Sequence, residues 1–182
     1  MEANLNMNER ELAALCSRSD RSAFKELYTR YAARVLALCF RYVTDRQEAE
    51  DLMHDTMVKV FGAIGRFNYK GEGSLYAWIR RIAVNLSIDR IRKRTVLDLS
   101  PLLEEELMTE EAAVDIPIPI LMEMISTLPE TQRLILNLYC IDGLSHNEIA
   151  GLLGIKPKTS SSLLSKAKRL LNEKVARYLN SK

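Results

Sequence analysis

Gly143-Leu-Ser-His-Asn-Glu-Ile-Ala-Gly-Leu-Leu-Gly-Ile-Lys-Pro-Lys-Thr159 sets out two helices and the turn between them. Ser145 followed three places later by Glu148 is a capping box, able to satisfy the free amides of a helix start, so a short helix is expected from about His146. Ile149, Ala150, Leu152 and Leu153 form its expected buried face. Gly154 supplies a left-handed stop that a residue with a Cβ adopts only under strain. Gly154-Ile155-Lys156 is then the turn, and Pro157 suits the first position of a second helix, where no amide proton is needed. Lys158, Thr159, Ser160, Ser161 and Ser162 give that helix polar opening turns of the kind that enter a major groove. Leu163, Leu164, Ala167, Leu170, Leu171, Val175 and Leu179 keep helical spacing behind them, while Lys166, Lys168, Arg169, Lys174 and Arg177 make the same helix basic. The pattern is that of a helix-turn-helix DNA reader; the same spacing also describes an antiparallel helix pair with a solvated basic face.

The 182 residues are 47% apolar and 27% charged, enough for one substantial core or two small ones, and two small domains fit better. Helical periodicity recurs and alternating strand patterns do not, so the expected fold is all-α, two small helical domains joined by an acidic linker. The net charge of +2 hides a strong local polarity. Arg80, Arg81, Arg90, Arg92, Lys93 and Arg94 are opposed locally only by Asp89, whereas between Val96 and Glu123 there is neither Lys nor Arg but many acids. Nucleic acid attracts the first stretch and repels the second.

Cys16, Cys39 and Cys140 are odd in number and far apart, which suggests reduced, largely buried thiols and no disulfide framework. His54 and His146 lack a partner ligand at metal-binding spacing, and there is no Gly-rich phosphate loop or nucleophile motif. Neither cofactor nor metal is therefore expected, and an enzyme is not. No uncharged apolar run approaches the roughly 20 residues of a membrane span, and no leader pattern is evident, so a cytoplasmic location without membrane insertion is expected.

From Glu9 to about Arg94 amphipathic helices follow one another. Asp20 or Ser22 caps one that carries Phe24, Leu27, Tyr28, Tyr31, Val35, Leu38 and Cys39. After the cap-like pair Thr44-Asp45, a second helix aligns Ala49, Leu52, Met53, Thr56, Met57, Val60, Phe61 and Ile64, with Glu48, Asp51 and Asp55 on its other face. Asn68-Tyr-Lys-Gly-Glu-Gly73 reads as an exposed loop before another helix, expected to be capped at Ser74, in which Leu75, Trp78, Ile79, Ile82, Ala83, Leu86 and Ile91 hold core spacing. Tyr76 and Trp78 interleave with the arginines there, which suits unpaired DNA, although Trp78 fits a plain core role equally well. Ile116-Pro-Ile-Pro119 disfavours a continuous helix, Leu102 to Ala113 has the pattern of a short one, and the last set of helices is expected from Leu121. There Pro129 opens a helix whose packed stripe is Leu134, Ile135, Leu138 and Tyr139.

Gln47-Glu-Ala-Glu-Asp-Leu52, then Phe67, then Trp78-Ile-Arg-Arg-Ile-Ala-Val-Asn85, then Leu128-Pro129, then Gly143 to Thr159 form an ordered series. In that order the chain resembles a bacterial extracytoplasmic-function (ECF) sigma factor of the sigma-70 family, from about Phe24 to Leu171. The resemblance implies a domain over residues 1–94 that holds RNA polymerase core and opens the promoter's minus-ten element. An acidic flexible linker over 95–120 would run toward the polymerase cleft, and a domain over 121–182 would read the minus-thirty-five element as duplex. It implies core docking through Glu48, Asp51, Leu52, His54 and Asp55, and minus-ten contacts from Phe67, Trp78, Arg80, Arg81, Asn85 and Arg92. Minus-thirty-five contacts would come from Lys158, Thr159, Ser161, Ser162, Ser165 and Lys166. At Ser160 and Leu163 the sequence departs from the family's common residues: serine discriminates bases poorly, and Leu163 either touches a thymine methyl or packs. The implied partners are core polymerase, promoter DNA and an anti-sigma factor that holds the protein at the inner membrane. Two rival readings stay open: a regulator binding duplex operators without polymerase, and a helical protein that sequesters a partner.

Overall fold

A computed structural model describes residues 7–94 and 116–181. Among them are eight α-helices and no strand: α1 (Glu9–Ser17), α2 (Arg21–Tyr42), α3 (Arg46–Ala63), α4 (Ser74–Arg94), α5 (Ile118–Ser126), α6 (Glu130–Leu136), α7 (His146–Leu153) and α8 (Pro157–Asn180). The chain forms two compact units, Met1–Asp89 and Arg90–Lys182. The acidic run and the short helix expected over Leu102 to Ala113 lie outside the described residues.

Side-chain caps start the helices of the first unit. Asn8, Asp20 and Asp45 each accept, through Oδ1, the amide of the residue three places on at 2.8 Å, opening α1, α2 and α3. The start of α4 differs from expectation. Ser74 is already helical and does not cap; its hydroxyl donates to the Gly71 carbonyl at 2.6 Å and accepts the Lys70 amide at 3.2 Å, knotting the loop below the helix. Gly71 and Gly73 turn that corner at φ +123° and +81°, where glycine alone is unstrained. Leu12, Leu27, Val35, Leu52, Val60, Leu75 and Ile79 are wholly or almost wholly buried, each such side chain stabilising the fold by roughly 1.5–3 kcal/mol.

In the second unit α5 begins at Ile118, three residues before the expected Leu121, because Pro119 falls within its first turn, where a missing amide costs nothing. Arg133 is buried and donates from Nη1 to the carbonyls of Ser126 and Leu128 at 3.1 and 3.0 Å, fastening the α5–α6 connection. After Leu136 the helix widens into a π-helical turn, Asn137–Ile141. The wider turn shifts the register, so Tyr139 and Cys140 face outward, against the expectation of a packed tyrosine and a buried thiol. Cys16 and Cys39 are buried as expected, and burial raises their pKa to about 11 and about 12, which keeps them protonated and unreactive.

Candidate nucleic-acid surfaces and an acidic docking face

The helix-turn-helix is built as its sequence directs. Glu148 Oε2 accepts the Ser145 amide at 2.8 Å and its hydroxyl at 2.7 Å, and Ser145 Oγ accepts the Glu148 amide at 3.3 Å. These bonds to the carboxylate hold the Glu148 pKa below its ordinary value. Gly154 adopts φ 69°, ψ 31°, and the Ile155 amide returns to the Ala150 carbonyl at 3.1 Å, closing a Schellman end. Pro157 then opens α8. Leu152 is the exception on α7, more than a third exposed where burial was expected.

On α8 the inward face is Ser160, Leu163, Leu164 and Ala167. Leu163 is 4% exposed, which settles the alternatives for it: it packs and cannot reach a thymine methyl. Ser160 is fully buried and its Oγ lies 2.9 Å from His146 Nδ1, so it braces the two helices and cannot read a base edge. His146 in turn stacks on Tyr139 with ring centres 4.5 Å apart. The remaining positions turn outward: Lys158, Ser161 and Ser165 are exposed, and Thr159, Ser162 and Lys166 half-buried. At offsets of three, four and seven they share one face, which Arg169 extends by a further turn. Ser165 donates its hydroxyl proton to the Ser161 carbonyl at 3.2 Å, so its oxygen keeps only its acceptor role. By composition Arg169 belongs only to the basic helix; its place seven residues after Ser162 is the sequence signal that puts it on this face.

In the first unit Phe67 and Trp78 are both half-buried, with ring centres 5.3 Å apart and planes tilted by 45°. They flank the loop 68–73, one before it and one a turn into α4. From Trp78 the outward positions Arg81 and Asn85 follow at helical spacing, both exposed, and Arg80 is half-buried; Arg92, also exposed, lies further along α4, past the first unit's end at Asp89. Tyr76 does not belong to this set. Its ring stacks on Tyr31 at 5.9 Å, and the Arg34 guanidinium lies 3.7 Å from its centre.

The acidic face of α3 departs from the expected set at two positions. Asp51, His54 and Asp55 are exposed and Glu48 is half-buried, whereas Leu52 is 1% exposed and is a core residue, so its side chain is removed from the docking set. His54 lies against Tyr28, with ring centres 6.4 Å apart. Val58, 70% exposed and three and four residues beyond Asp55 and His54, lies on the same face and was absent from the sequence-based set. Exposed carboxylates beside a bare valine make a surface suited to a basic partner with an apolar foothold.

Among the described residues no group of His, Cys, Asp and Glu is placed to hold a metal ion, and no helix is long and apolar enough to cross a membrane.

Comparison with known proteins follows the division of the chain. Residues 27–96 match the family model Sigma-70 region 2, and residues 119–171 match Sigma-70, region 4. The RNA polymerase sigma-H factor of Pseudomonas aeruginosa is 28% identical over 180 residues, covering 91% of this chain and 92% of its own. The ECF RNA polymerase sigma-E factor of Escherichia coli K12 is 27% identical over 184 residues, covering 93% and 95%. In fold, the chain is similar to CnrH, solved in complex with the cytosolic domain of CnrY, at TM-score 0.51, 21% identity and coverage of 93% and 97%. It is also similar to the sigma factor RpoE solved with the anti-sigma factor NepR from Bartonella quintana, at TM-score 0.50, 22% identity and coverage of 82% and 94%.

Proposed function

The chain belongs to the sigma-70 family, within its ECF branch, and from that premise we propose that it directs RNA polymerase core to particular promoters and assists their opening at initiation. The observation that carries this reading is the presence of two different nucleic-acid surfaces on one chain. The helix-turn-helix face suits duplex DNA. The Phe67–Trp78 ring pair beside a glycine-rich loop, with Arg81, Asn85 and Arg92 along α4, suits a strand whose bases are unpaired and held against aromatic rings. An operator-binding regulator has use for the first surface only, and a sequestering protein for neither.

In this reading residues 1–94 bind core and the minus-ten element, 95–120 link, and 121–182 bind the minus-thirty-five element, with α5 bringing the start of the last to Ile118. Asp51, His54, Asp55 and Glu48 dock core, with Val58 added. Phe67, Trp78, Arg80, Arg81, Asn85 and Arg92 hold the minus-ten strand. Lys158, Thr159, Ser161, Ser162, Ser165 and Lys166, with Arg169, contact the duplex; phosphate neutralisation and DNA shape contribute much of the affinity, since serines choose weakly among bases. The protein performs no covalent chemistry and works in the cytoplasm. Both solved proteins of similar fold are held by a partner, in one case named an anti-sigma factor, and we propose the same class of partner here.

The test uses a promoter selected by the wild-type holoenzyme. Trp78→Ala or Asn85→Ala is expected to slow the appearance of permanganate-reactive thymines by about tenfold or more, the effect of losing one stacked or pocketed base. Closed-complex formation should stay near wild type. Equal opening rates in all three proteins would remove these residues from the melting surface.

A further inference from the structure

α1 lies ahead of the region 2 match, which begins at residue 27, and its sequence offers no DNA-binding pattern. Its first residue is nevertheless a buried acid. Glu9 is 5% exposed. Its Oε1 accepts the Tyr31 hydroxyl at 3.2 Å and the backbone amide of Tyr76 at 3.4 Å, while Oε2 is buried with no hydrogen-bond partner among the described residues. A carboxylate so buried and half-satisfied opposes folding unless something on its bonded side compensates.

The compensating element is the start of α4. Tyr76 is the third residue of that helix, where amides lack carbonyl partners and the helix dipole presents its positive end. The residue before the helix, Gly73, has no side chain to cap it, and Ser74 is engaged with Gly71 and Lys70. The acceptor that a local Asp or Ser supplies for α2, α3 and α7 comes here from a residue 67 positions away. α1 also packs against the turn Ile64–Arg66, immediately before Phe67. The helix thus braces both ends of the 68–73 loop: the Phe67 end through the turn, and the Trp78 end through Glu9. Tyr31, stacked on Tyr76, completes the brace.

We infer that Glu9 is a positioning residue for the unpaired strand: by capping α4 from α1 it fixes the loop and the Phe67–Trp78 ring pair in the geometry that receives a flipped base. This rests on the reading of that loop as the minus-ten surface.

Three proteins, Glu9→Ala, Glu9→Gln and Trp78→Ala, are compared with wild type as full chains and as holoenzymes. The probe is a fluorescent single-stranded oligonucleotide selected by the wild-type holoenzyme from a randomised pool. Glu9→Ala is expected to speed amide exchange at residues 74–76 and to weaken oligonucleotide binding, each by about tenfold, with core affinity unchanged. Glu9→Gln keeps an acceptor and is expected to stay within about threefold of wild type on both counts. A Glu9→Ala protein that retains wild-type exchange and strand binding overturns the inference. So does a Glu9→Gln protein that folds but loses as much as Glu9→Ala, because the acceptor would then not be what matters; this arm decides even if Glu9→Ala fails to fold. If Trp78→Ala weakens the strand and Glu9→Ala does not, only the role of Glu9 falls. If Trp78→Ala itself leaves strand binding intact, the minus-ten reading of the loop falls with it.

Discussion

Two glycines three residues apart in the helix-turn-helix should respond to alanine in opposite directions. Gly151 lies inside α7 and Gly154 ends it at φ 69°. A Cβ built at either position meets nothing within 4 Å, so packing is excluded and only backbone conformation remains. At Gly151 alanine removes the entropic cost of glycine in a helix, a gain of about 0.8–1 kcal/mol. At Gly154 alanine is held in the left-handed region at about 1–2 kcal/mol, offset in part by a smaller unfolded-state entropy of about 0.4–1 kcal/mol, for a net loss near ~1 kcal/mol. The two variants should therefore differ by about 2 kcal/mol, or roughly thirtyfold in the opening equilibrium of the second unit. Amide exchange of α7 and α8 in the full chain reads that equilibrium without assuming that both units unfold together. Gly151→Ala should slow exchange and Gly154→Ala should speed it, and only Gly154→Ala should weaken duplex binding, because it alone disturbs the angle between α7 and α8. Equal protection in both variants, or a loss at Gly151, would show that the turn is not held by the glycine's conformational freedom.

Reversing the acidic face of α3 with Asp51→Lys and Asp55→Lys should lower the affinity for core polymerase, read by fluorescence titration, by at least about a hundredfold, as close interfacial charge pairs of the stronger kind do, with unchanged helical content excluding unfolding. Ser19, a non-glycine residue at φ 63° after α1, should give about 1 kcal/mol of added stability as Ser19→Gly, seen as a higher denaturant midpoint at unchanged slope; a neutral result would mean that its strain is relieved locally. Desolvation holds the His146 pKa below its ordinary 6.5, so the unfolded chain takes up a proton where the folded one resists it. The second unit should therefore be most stable above that value and lose stability as pH falls through it; in His146→Gln this part of the pH slope should vanish, and its persistence would assign the slope to another group.

What could be read in the chain before its structure was local chemistry. Ser145, Glu148, Gly154 and Pro157 each act within four residues of themselves, and Asp20 and Asp45 cap their helices for the same reason. The misplaced residues are those whose facing depends on something distant or irregular. Ser160 to Ser162 carry no periodic contrast, so it took the His146 ring to show which serine points inward. Tyr139 faces out because a π-helical turn adds a residue to its helix, a shift invisible to a 3.6-residue pattern. Around Leu52 and Val58 apolar residues occupy more of α3 than its buried face can take, so one became core and the other was left bare. Glu9 is an acid in the first turn of α1, and nothing in its neighbouring sequence marks it for burial; that is decided by Tyr31 and Tyr76, 22 and 67 residues away.

In the function proposed here the chain is a subunit of a polymerase and not a free-standing DNA binder. The most direct test is gel filtration of the purified chain with sigma-free bacterial core RNA polymerase. Co-elution at one-to-one stoichiometry is expected, and is lost when Asp51 and Asp55 are reversed in charge. A well-folded chain that elutes apart from core while binding duplex DNA tightly on its own would contradict it.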